Sequence, residues 1–501
     1  MDISFAESRT LLVALLIGLA TFIVFRSFPD KLSVYPGPRL GRLTKGYRFY
    51  YDVVKSGGLV DQLRRYYLGP VVRIGPRELH FNDPKAYVDI YSHSDLTKEP
   101  TLYNSFPFHE ASISYLDPAD ANTRRDILSP MFSRSSILKL QPVIQDKIDK
   151  LISRISTNGK HGKPVDMHMA YRSATMDIIT NYCFADSFDA LDAPDFRHPI
   201  LVGLQTGITS SWILKYMPWM LHAIESAPDW MVDRLPREHQ FFRDLRRFSS
   251  TQIDGYTVDP TLLDRADQPT IFHQLMVPSV KSKGLIPSRT SLMGETMALL
   301  AAGHDTVGGV CTVGTFHILR NPMVHARLVE EVRQVWPDVD SPAGYSQLEK
   351  LPYLTAIIKE SLRLAHGIVS NLPRVTGADM KIANYDVPKN TIISMSVIFM
   401  HLNPDIFPDP ERFDPERWLN GSNNITEMIW PFSKGSRMCL GITLAWCELY
   451  LIFGHIFRRT NMRLSNALES DYTTFRDFFV PVWDGNRLHV VVEPVEDVEK
   501  D

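Results

Sequence analysis

The sequence predicts a mainly α-helical fold with a minor β component. Helical spacing of apolar residues runs through 135–155, 288–320 and 353–365. Only two segments have the composition of paired strands: 70–81, around Gly75-Pro76, and 478–492, where a hairpin is expected about Asp484-Gly485. With 501 residues, of which 44% are hydrophobic, the chain can bury a large core.

Charge and cysteine content exclude some classes of protein. The formal net charge is -3, from 54 basic and 57 acidic residues, and it gives no electrostatic reason to expect nucleic acid as a partner. The four cysteines are Cys183, Cys311, Cys439 and Cys447. Their spacing forms neither CxxC pairs nor a disulfide framework, which indicates a reducing compartment.

Residues 1–28 are predicted to be a membrane anchor. Residues 10–25 carry no charge, lie between Arg9 and Arg26, and would span about 24 Å as a helix at about 1.5 Å per residue. A cleaved signal peptide is the alternative, but no small-residue cleavage site follows. Basic residues follow instead, and they would keep the downstream chain on the cytosolic side.

The rest of the chain is predicted to contain one catalytic domain. Residues 29–45 include YPGPRLGR and are expected to form a stiff Pro/Gly hinge. No long flexible linker divides 46–493, so this stretch is assigned to a single domain. The last residues, 494–501, form an acidic tail.

The longest predicted helix has an unusual centre. It should run from a Ser288 cap to Asn321-Pro322. Its middle, AAGHDTVGG, contains Gly303, Gly308 and Gly309. Each glycine costs a helix interior about 1 kcal/mol relative to alanine, so they indicate close helix packing, a kink, or the close approach of a flat ligand. Asp305 and Thr306 favour a functional role, because polar groups in an apolar helix need hydrogen-bonding partners.

A possible ion-pair cluster follows downstream. Glu360 and Arg363 are spaced i to i+3, so they share one helix face. Glu330 and Arg333 have the same spacing, and there it indicates an ordinary solvated face. The first pair is distinguished by the Pro-rich segment FDPERW, in which Arg417 supplies a second guanidinium that could lock the segment against the helix.

The ordered motifs AGHDT, ExxR, FDPERW and FSKGSRMCLG resemble those of the cytochrome P450 family, over essentially the whole globular chain. The resemblance implies the P450 fold, with a long central distal helix and a proximal Cys loop. It also implies haem b, with Cys439 as the axial thiolate ligand of its iron. The other three cysteines suit the role of small buried apolar residues.

The resemblance implies further haem contacts. These are Arg437 and Arg374 at the propionates, Arg124 or Arg125 at a third such contact, Phe432 on the proximal side, Gly435 and Gly441 in the Cys loop, and Gly303 on the distal helix. Ala121 departs from the family pattern, since an aromatic residue or histidine is common there. The third propionate contact is therefore the least well defined.

The resemblance also implies the chemistry. Thr306 and Asp305 would deliver protons during oxygen activation, and one oxygen atom would enter a C–H bond or double bond while the other leaves as water. Val307 replaces the second threonine often seen in this motif. His304 is expected to face away from the haem, because Cys439 already supplies the axial ligand.

The implied partners are O2, a lipophilic substrate and an NADPH-cytochrome P450 reductase. No flavin or dinucleotide motif is present in the chain, so electrons must come from the reductase, on the same membrane. A single-pass anchor in the endoplasmic reticulum with a cytosolic catalytic domain is expected. Two N-glycosylation sequons, at Asn420 and Asn424, would suit a lumenal domain, but such triplets are frequent by chance.

The substrate is expected to be apolar and fairly large. The segments that line the pocket in this family correspond to 101–118, 199–222, 293–302, 366–372 and 475–482, which are rich in large apolar residues. The overall sequence looks like that of fungal secondary-metabolism members related to trichodiene oxygenases, which suggests a terpenoid or another natural product as the substrate. Two alternatives remain: a reductase-independent haem-thiolate isomerase or dehydratase, and a non-catalytic haem sensor.

Overall fold

The computed structural model describes residues 30–66, 69–93, 95–265, 268–278, 284, 286–341, 343–419 and 428–493. The predicted anchor, both sequons and the acidic tail lie outside the described residues. Among the described helices, none has both the length and the apolar character needed to cross a bilayer.

The fold is mainly α-helical, as predicted. The described α-helices, numbered in chain order, are α1 Arg39–Leu43, α2 Gly46–Phe49, α3 Leu59–Tyr66, α4 Pro84–Ser92, α5 Pro100–Tyr103, α6 Pro118–Leu128, α7 Arg134–Asn158, α8 Met167–Phe184, α9 Pro199–Gly207, α10 Ser211–Tyr216, α11 Pro218–Glu225, α12 Asp229–Val232, α13 Phe241–Val258, α14 Ile271–Met276, α15 Arg289–Arg320, α16 Pro322–Val335, α17 Tyr345–Leu348, α18 Pro352–Ala365, α19 Ile398–His401 and α20 Ile442–Arg459. The three helices predicted from apolar spacing correspond to α7, α15 and α18.

The strands are short. They are β1 Val71–Gly75, β2 Glu78–Phe81, β3 Thr97–Lys98, β4 Val165–Asp166, β5 Arg374–Val375, β6 Met380–Ile382, β7 Tyr385–Val387, β8 Ile392–Ser394, β9 Asn461–Leu464, β10 Phe475–Phe478, β11 Val480–Trp483 and β12 His489–Glu493. The predicted strand pair around Gly75-Pro76 is β1 and β2, which run antiparallel with Val71 opposite Phe81.

The chain divides into two compact units, and the smaller one contains the larger sheet. Among the described residues, this unit comprises those between Asp30 and Glu99 together with Asn371–Met395. Its five strands lie in the order β1-β2-β8-β5-β3, with β2 parallel to β8. Residues of the predicted hinge belong to it: α1 lies there, and the guanidinium of Arg73 donates to both carboxylate oxygens of Asp30 at 2.7 Å.

The larger unit comprises Pro100–Ser370 and the chain from Ser396 onward. Its helices surround α15, which packs most extensively against α8 and also against α18, α13 and α20. The sheet β4-β12-β9 and the hairpin β10-β11 complete it.

The glycines of α15 serve close packing in this structure. A Cβ at Gly303 would lie 2.7 Å from the Ile179 side chain, and one at Gly308 would lie 2.8 Å from Arg172, both on α8. The helix continues without interruption through this stretch. The two central helices can therefore approach more closely than residues with side chains would allow.

The predicted hairpin about Asp484-Gly485 is wrong. The chain turns at Phe479 instead, so that β10 pairs with β11, while β12 pairs with β4 and β9. The Asp477 carboxylate accepts the Phe479 backbone N–H at 3.0 Å and closes this turn. Gly485 has another purpose: a Cβ there would lie 2.3 Å from the Asp471 Cα, so the Asp-Gly pair marks a close contact.

Candidate active site

Cys439 ends a tight loop in front of α20. The Cys439 N–H donates to the Phe432 carbonyl at 2.9 Å, which closes the loop. A short 3-10 turn, Gly435–Arg437, lies inside it. Gly435 has a φ of 72°, in the left-handed region that glycine adopts without strain. The loop therefore holds the thiol at the amino-terminal end of α20, the end of a helix that favours negative charge.

The thiol of Cys439 differs electrostatically from the other three. Protein surrounds it closely, and this burial raises the pKa of the thiol above its usual value. A hydrogen bond from the Gly441 N–H and the positive charge of Arg125 offset only part of this rise. Its side chain is nevertheless accessible, whereas Cys183, Cys311 and Cys447 are buried. The sulfur of Cys439 has many protein atoms around it, but one side of the residue is open. Such a thiol can bind a metal ion, and it loses its proton when it does so.

The donor set around Cys439 fits a haem-thiolate centre better than a metal held by protein alone. Within the described ranges, no group of three or more His, Cys, Asp and Glu side chains could hold a metal ion. The Gly441 N–H and Arg125 instead provide the positive environment that a single thiolate requires. The single thiol is thus consistent with iron that takes its remaining ligands from a macrocycle.

The structure separates Arg125 from Arg124. Arg124 is buried and pairs with Glu295 at 3.0 Å, and it also donates to the Ser291 hydroxyl at 2.7 Å. Arg125 is half-buried, and its charge acts on Cys439. The Arg124 guanidinium is thus engaged by Glu295 and Ser291, and Arg125 stays the predicted third propionate contact.

The other predicted haem contacts lie in different surroundings. Arg437 donates to backbone carbonyls, with the shortest contact at 2.6 Å to Tyr115. Phe432 packs against Trp446 of α20, with ring centroids 6.4 Å apart. Arg374 belongs to the smaller unit, where it is buried beside the ring of Tyr91. The propionate role of Arg374 stays a prediction.

Thr306 and Asp305 point in different directions from α15. Thr306 is partly accessible, and its hydroxyl donates to the Ala302 carbonyl at 2.9 Å. Asp305 is buried and accepts from the Arg172 Nε at 2.6 Å and from the Gln205 Nε2 at 2.9 Å. Burial raises the pKa of Asp305, but Arg172 and these hydrogen bonds outweigh it and hold the pKa well below its usual range.

His304 lies on another side of the same helix. It is buried, and its Nδ1 lies 2.8 Å from the Leu300 carbonyl. Its own backbone carbonyl accepts from the Thr175 hydroxyl at 2.7 Å. These contacts agree with the expected packing role.

The structure connects several of the predicted pocket-lining segments through Asp477. The Trp212 indole N–H donates to the Asp477 carbonyl, and the Ser370 hydroxyl donates to its carboxylate. The Phe106 ring contacts Phe479 with centroids 5.0 Å apart. Segment 199–222 therefore contacts the Asp477 backbone, segment 366–372 contacts its carboxylate through Ser370, and segment 101–118 contacts the nearby Phe479 ring.

Glu360, Arg363 and Arg417 come together as an enclosed ion-pair cluster. Arg363 donates to both Glu360 oxygens, at 2.7 and 2.9 Å, and Arg417 donates to Glu360 Oε1 at 3.1 Å. Glu360 and Arg363 are completely buried, whereas Glu330 and Arg333 are exposed. The same spacing thus serves two different purposes in one chain.

Sequence reasoning missed the buried partners Arg172, Glu295 and Asp477 and the half-buried partners Gln205 and Ser112. A signal existed for two of them. Arg172 and Asp177 are the two charged residues of the mostly apolar helix MHMAYRSATMDIITNYCF, and Glu295 is the charged residue in SLMGETMALL. A charge in such a helix requires a buried partner. The partner itself, however, lies 133 residues away for Arg172 and 171 for Glu295.

Comparisons with known proteins identify the family. The sequence model of the family described as Cytochrome P450 matches residues 56–476. Cytochrome P450 monooxygenase macH of Penicillium terrestre is 31% identical over 490 residues, which cover 94% of this chain and 96% of that protein. Tryptophan 6-hydroxylase fscE of Fusarium equiseti is 31% identical over 497 residues, with 96% of each protein covered.

A third relative is conidiogenone synthase PchP450 of Penicillium rubens, 32% identical over 484 residues that cover 94% of this chain and 96% of that protein. Membership implies a haem-thiolate centre, O2, a lipophilic substrate and a redox partner. The chain therefore belongs to the cytochrome P450 family, and it is a haem-dependent monooxygenase.

Proposed function

We propose that Cys439 is the axial thiolate ligand of haem b, and that the enzyme inserts one oxygen atom of O2 into a lipophilic natural-product intermediate, such as a terpenoid. The observation that carries this proposal is the enclosed yet accessible thiol of Cys439, with the Gly441 N–H and Arg125 directed at it. The names of the fungal relatives support the substrate class, because they include a conidiogenone synthase and a tryptophan hydroxylase.

Arg125 and Arg437 would bind the haem propionates, with Arg374 as a further contact. Arg125 is the strongest of these candidates, because no described residue accepts a hydrogen bond from its guanidinium. The bound haem supplies oxygen activation, which electron donation from the thiolate favours. The Gly441 N–H and the amino terminus of α20 stabilise the negative charge on Cys439.

Thr306 would move a proton on the distal side. Its hydroxyl is accessible and can turn from the Ala302 carbonyl toward a bound molecule. Asp305 would act behind it as the relay. Because Arg172 and Gln205 hold this carboxylate ionised, it can accept a proton only transiently and must loosen one contact to do so.

Replacing Thr306 with alanine tests the proton role. Haem content and substrate binding should stay close to those of the unsubstituted enzyme, and NADPH should still be consumed with reductase. Product formed per NADPH should fall about tenfold or more, with electrons diverted to hydrogen peroxide or water, since proton transfer by a positioned side chain is worth about 10²–10⁴-fold. The measurements are product, NADPH and peroxide in the same reaction.

Thr180→Ala is the matched control. Its hydroxyl makes the same kind of bond, to the Met176 carbonyl at 2.7 Å, but the residue is completely buried in α8, outside the segments predicted to line the pocket. It should keep normal coupling. Normal coupling in Thr306→Ala would show that protons arrive by a water chain or from the substrate.

We propose an NADPH-cytochrome P450 reductase as the electron donor. Turnover should require NADPH together with the reductase. A haem-thiolate isomerase or dehydratase would instead convert a peroxide substrate without either. The substrate can be sought among lipophilic natural products, because those that bind displace the distal water and shift the haem absorption.

Membrane association is proposed as well, and an exposed apolar surface supports it. Trp219 on α11 is 68% exposed and Trp230 on α12 is 61% exposed, and their chain neighbours Met217 and Met231 are exposed as well. Arg234 lies over the Trp230 ring at 5.0 Å. Exposed tryptophans next to basic residues are typical of surfaces that enter a lipid headgroup region.

A deletion and a pair of substitutions, each of which removes apolar residues, test this proposal. Removing residues 1–28 should release much of the protein from membranes while keeping haem. Substituting serine at Trp219 and Trp230 in that shortened chain should weaken binding to phospholipid vesicles by roughly tenfold for each tryptophan, from the apolar area lost. Met323→Ser, at a residue 83% exposed on α16, should have little effect. Unchanged vesicle binding in the double variant would exclude this surface.

A further inference from the structure

Residues 109–117, which we call the strap, are fastened to the first turns of α15. The Ser288 hydroxyl donates to the Glu110 carboxylate at 2.8 Å, and the Ser291 hydroxyl donates to the Glu110 carbonyl at 2.8 Å. Glu295 accepts from the Ser112 N–H at 2.9 Å and from its hydroxyl at 2.6 Å. Helix positions 288, 291 and 295 thus form one face that binds consecutive parts of the strap.

Close backbone packing reinforces these hydrogen bonds. A Cβ at Gly294 would lie 1.9 Å from the His109 carbonyl oxygen, so only glycine allows the strap to lie against the helix at this point. Glu110 has a φ of 52°, a conformation that a non-glycine residue rarely adopts. The surrounding contacts must hold this strained residue in place.

A buried ion pair supports the contact between the strap and α15. Glu295 is completely buried in α15, and its charge is balanced by Arg124, which also donates to Ser291. A buried carboxylate with one cationic partner and two donors from Ser112 is a fixed anchor. When the contact between the strap and α15 is broken, the strap is therefore expected to move while α15 stays in place.

The other end of the strap is held by the Cys loop. The Arg437 guanidinium donates to the carbonyls of Ser112, Tyr115, Leu116 and Asp117. The strap thus runs from α15, at a point about 16 Å along the helix from Thr306 by its rise of 1.5 Å per residue, to the loop of Cys439. It links the helix that carries Thr306 to the loop that carries the thiol.

The residues just before the strap form an aromatic wall. Phe106 and Phe108 stack with ring centroids 5.5 Å apart and planes 10° from parallel, and Phe106 contacts Phe479. All three residues are partly exposed, so the hydrophobic core does not cover their rings completely. Because Phe108 directly precedes His109, the position of the strap determines where this stack ends.

We propose that Glu295 is a positioning residue for substrate selection. Acting through Ser112, it fixes the strap against α15, and the strap in turn fixes the Phe106–Phe108 stack as a wall that bulky ligands contact and small ligands do not. This inference rests on the proposed haem-thiolate site and extends it to a carboxylate that is completely buried against Arg124 and Ser112.

Hydrogen exchange measured on the full-length haem protein tests the fastening. Ser112→Ala removes one hydrogen bond to a buried carboxylate, and Gly294→Ala forces a Cβ against the His109 carbonyl without removing a charge. Peptides covering 109–117 should exchange about tenfold faster in both variants, the size expected for one hydrogen bond to a charged group. Thr123→Ala and Gly255→Ala are the controls, since the Thr123 hydroxyl bonds only within its helix and a Cβ at Gly255 meets nothing closer than 4.0 Å.

Two haem ligands of different size test the selection role. Clotrimazole, a bulky azole, should bind about tenfold more weakly to Ser112→Ala and Gly294→Ala, whereas the dissociation constant of imidazole should be unchanged within about twofold. Glu295→Gln should weaken clotrimazole at least as much as Ser112→Ala, because it weakens both hydrogen bonds from Ser112 as well as the ion pair with Arg124. Ser112→Thr, which keeps the hydroxyl, should restore clotrimazole binding.

The outcomes are separable. Unchanged exchange in both variants would overturn the fastening, and faster exchange with unchanged or tighter clotrimazole binding would overturn the role in selection. Equal weakening of clotrimazole and imidazole would show a general structural effect and would also overturn it. Failure of the unsubstituted protein to show a thiolate spectrum would instead count against the proposed cofactor site.

Discussion

The Cys439→Ser variant is expected to lose the thiolate-type absorption of its reduced carbon monoxide complex, and with it all monooxygenase activity. Serine is nearly isosteric with cysteine, and the Phe432 carbonyl bond that closes the loop comes from the backbone, so the loop should keep its shape. The hydroxyl is a poor ligand because it does not give up its proton under conditions in which a metal-bound thiol does. The loss should therefore be chemical and not a failure to fold.

Cys447→Ser is the matched control for this experiment. Cys447 lies in α20 only two turns beyond the loop, and burial raises the pKa of its thiol far above the usual range. Placing a hydroxyl there should cost about 1–3 kcal/mol of stability if it stays unsatisfied, but the thiolate spectrum should persist. A normal spectrum in Cys439→Ser, or its loss in Cys447→Ser alone, would overturn the ligand assignment.

The Glu360→Ala variant is expected to yield little folded haem protein. The Glu360 carboxylate accepts from the Asp414 N–H at 2.9 Å and the Trp418 indole N–H at 3.0 Å, in addition to Arg363 and Arg417. Removing it leaves two guanidinium groups uncompensated in the interior. Breaking a buried ion pair costs about 3–5 kcal/mol, a large share of the roughly 5–15 kcal/mol that stabilises a folded protein.

The order of effects is a sharper test than any single loss. Arg363→Ala should rank second, because Arg363 also donates to the carbonyls of His401, Pro410 and Arg412. Arg417→Ala should be the mildest, since Glu360 retains one cation. Glu330→Ala, at the exposed pair of equal spacing, should change stability by less than about 0.5 kcal/mol.

Haem-protein yield and the denaturant midpoint of each variant measure this order. Wild-type stability in Glu360→Ala would mean that the cluster contributes nothing. A milder effect in Glu360→Ala than in Arg417→Ala would contradict the charge argument.

The sequence predicted the elements whose signals are local. The helices α7, α15 and α18 follow apolar spacing, and the β1-β2 pair follows its Gly-Pro turn. The Ser288 cap of α15 is observed with its hydroxyl accepting the Ser291 N–H at 3.1 Å. Such features depend on residues a few positions apart, so a single sequence carries the information.

The hairpin at the end of the chain shows where local signals mislead. Asp484-Gly485 is a strong turn signal, but the turn formed at Phe479, which has a φ of 77°. A phenylalanine in that conformation is strained, and Asp477 compensates by accepting its N–H while it also accepts from Ser370. The strain is balanced by contacts that lie far apart along the chain.

The sequence by itself determined the cytochrome P450 fold class, the position of Cys439 in its loop, and the ion-pair cluster of Glu360. Each of these depends on residue types at fixed spacing within short motifs. Only the tertiary structure decided that Arg125 and not Arg124 acts on Cys439, that Arg172 and Gln205 hold Asp305, and that Glu295 fastens the strap. The physical reason is the same in each case. A buried charge must find an opposite charge or a hydrogen bond, but which partner satisfies it depends on the packing of segments that are a hundred or more residues apart in the chain.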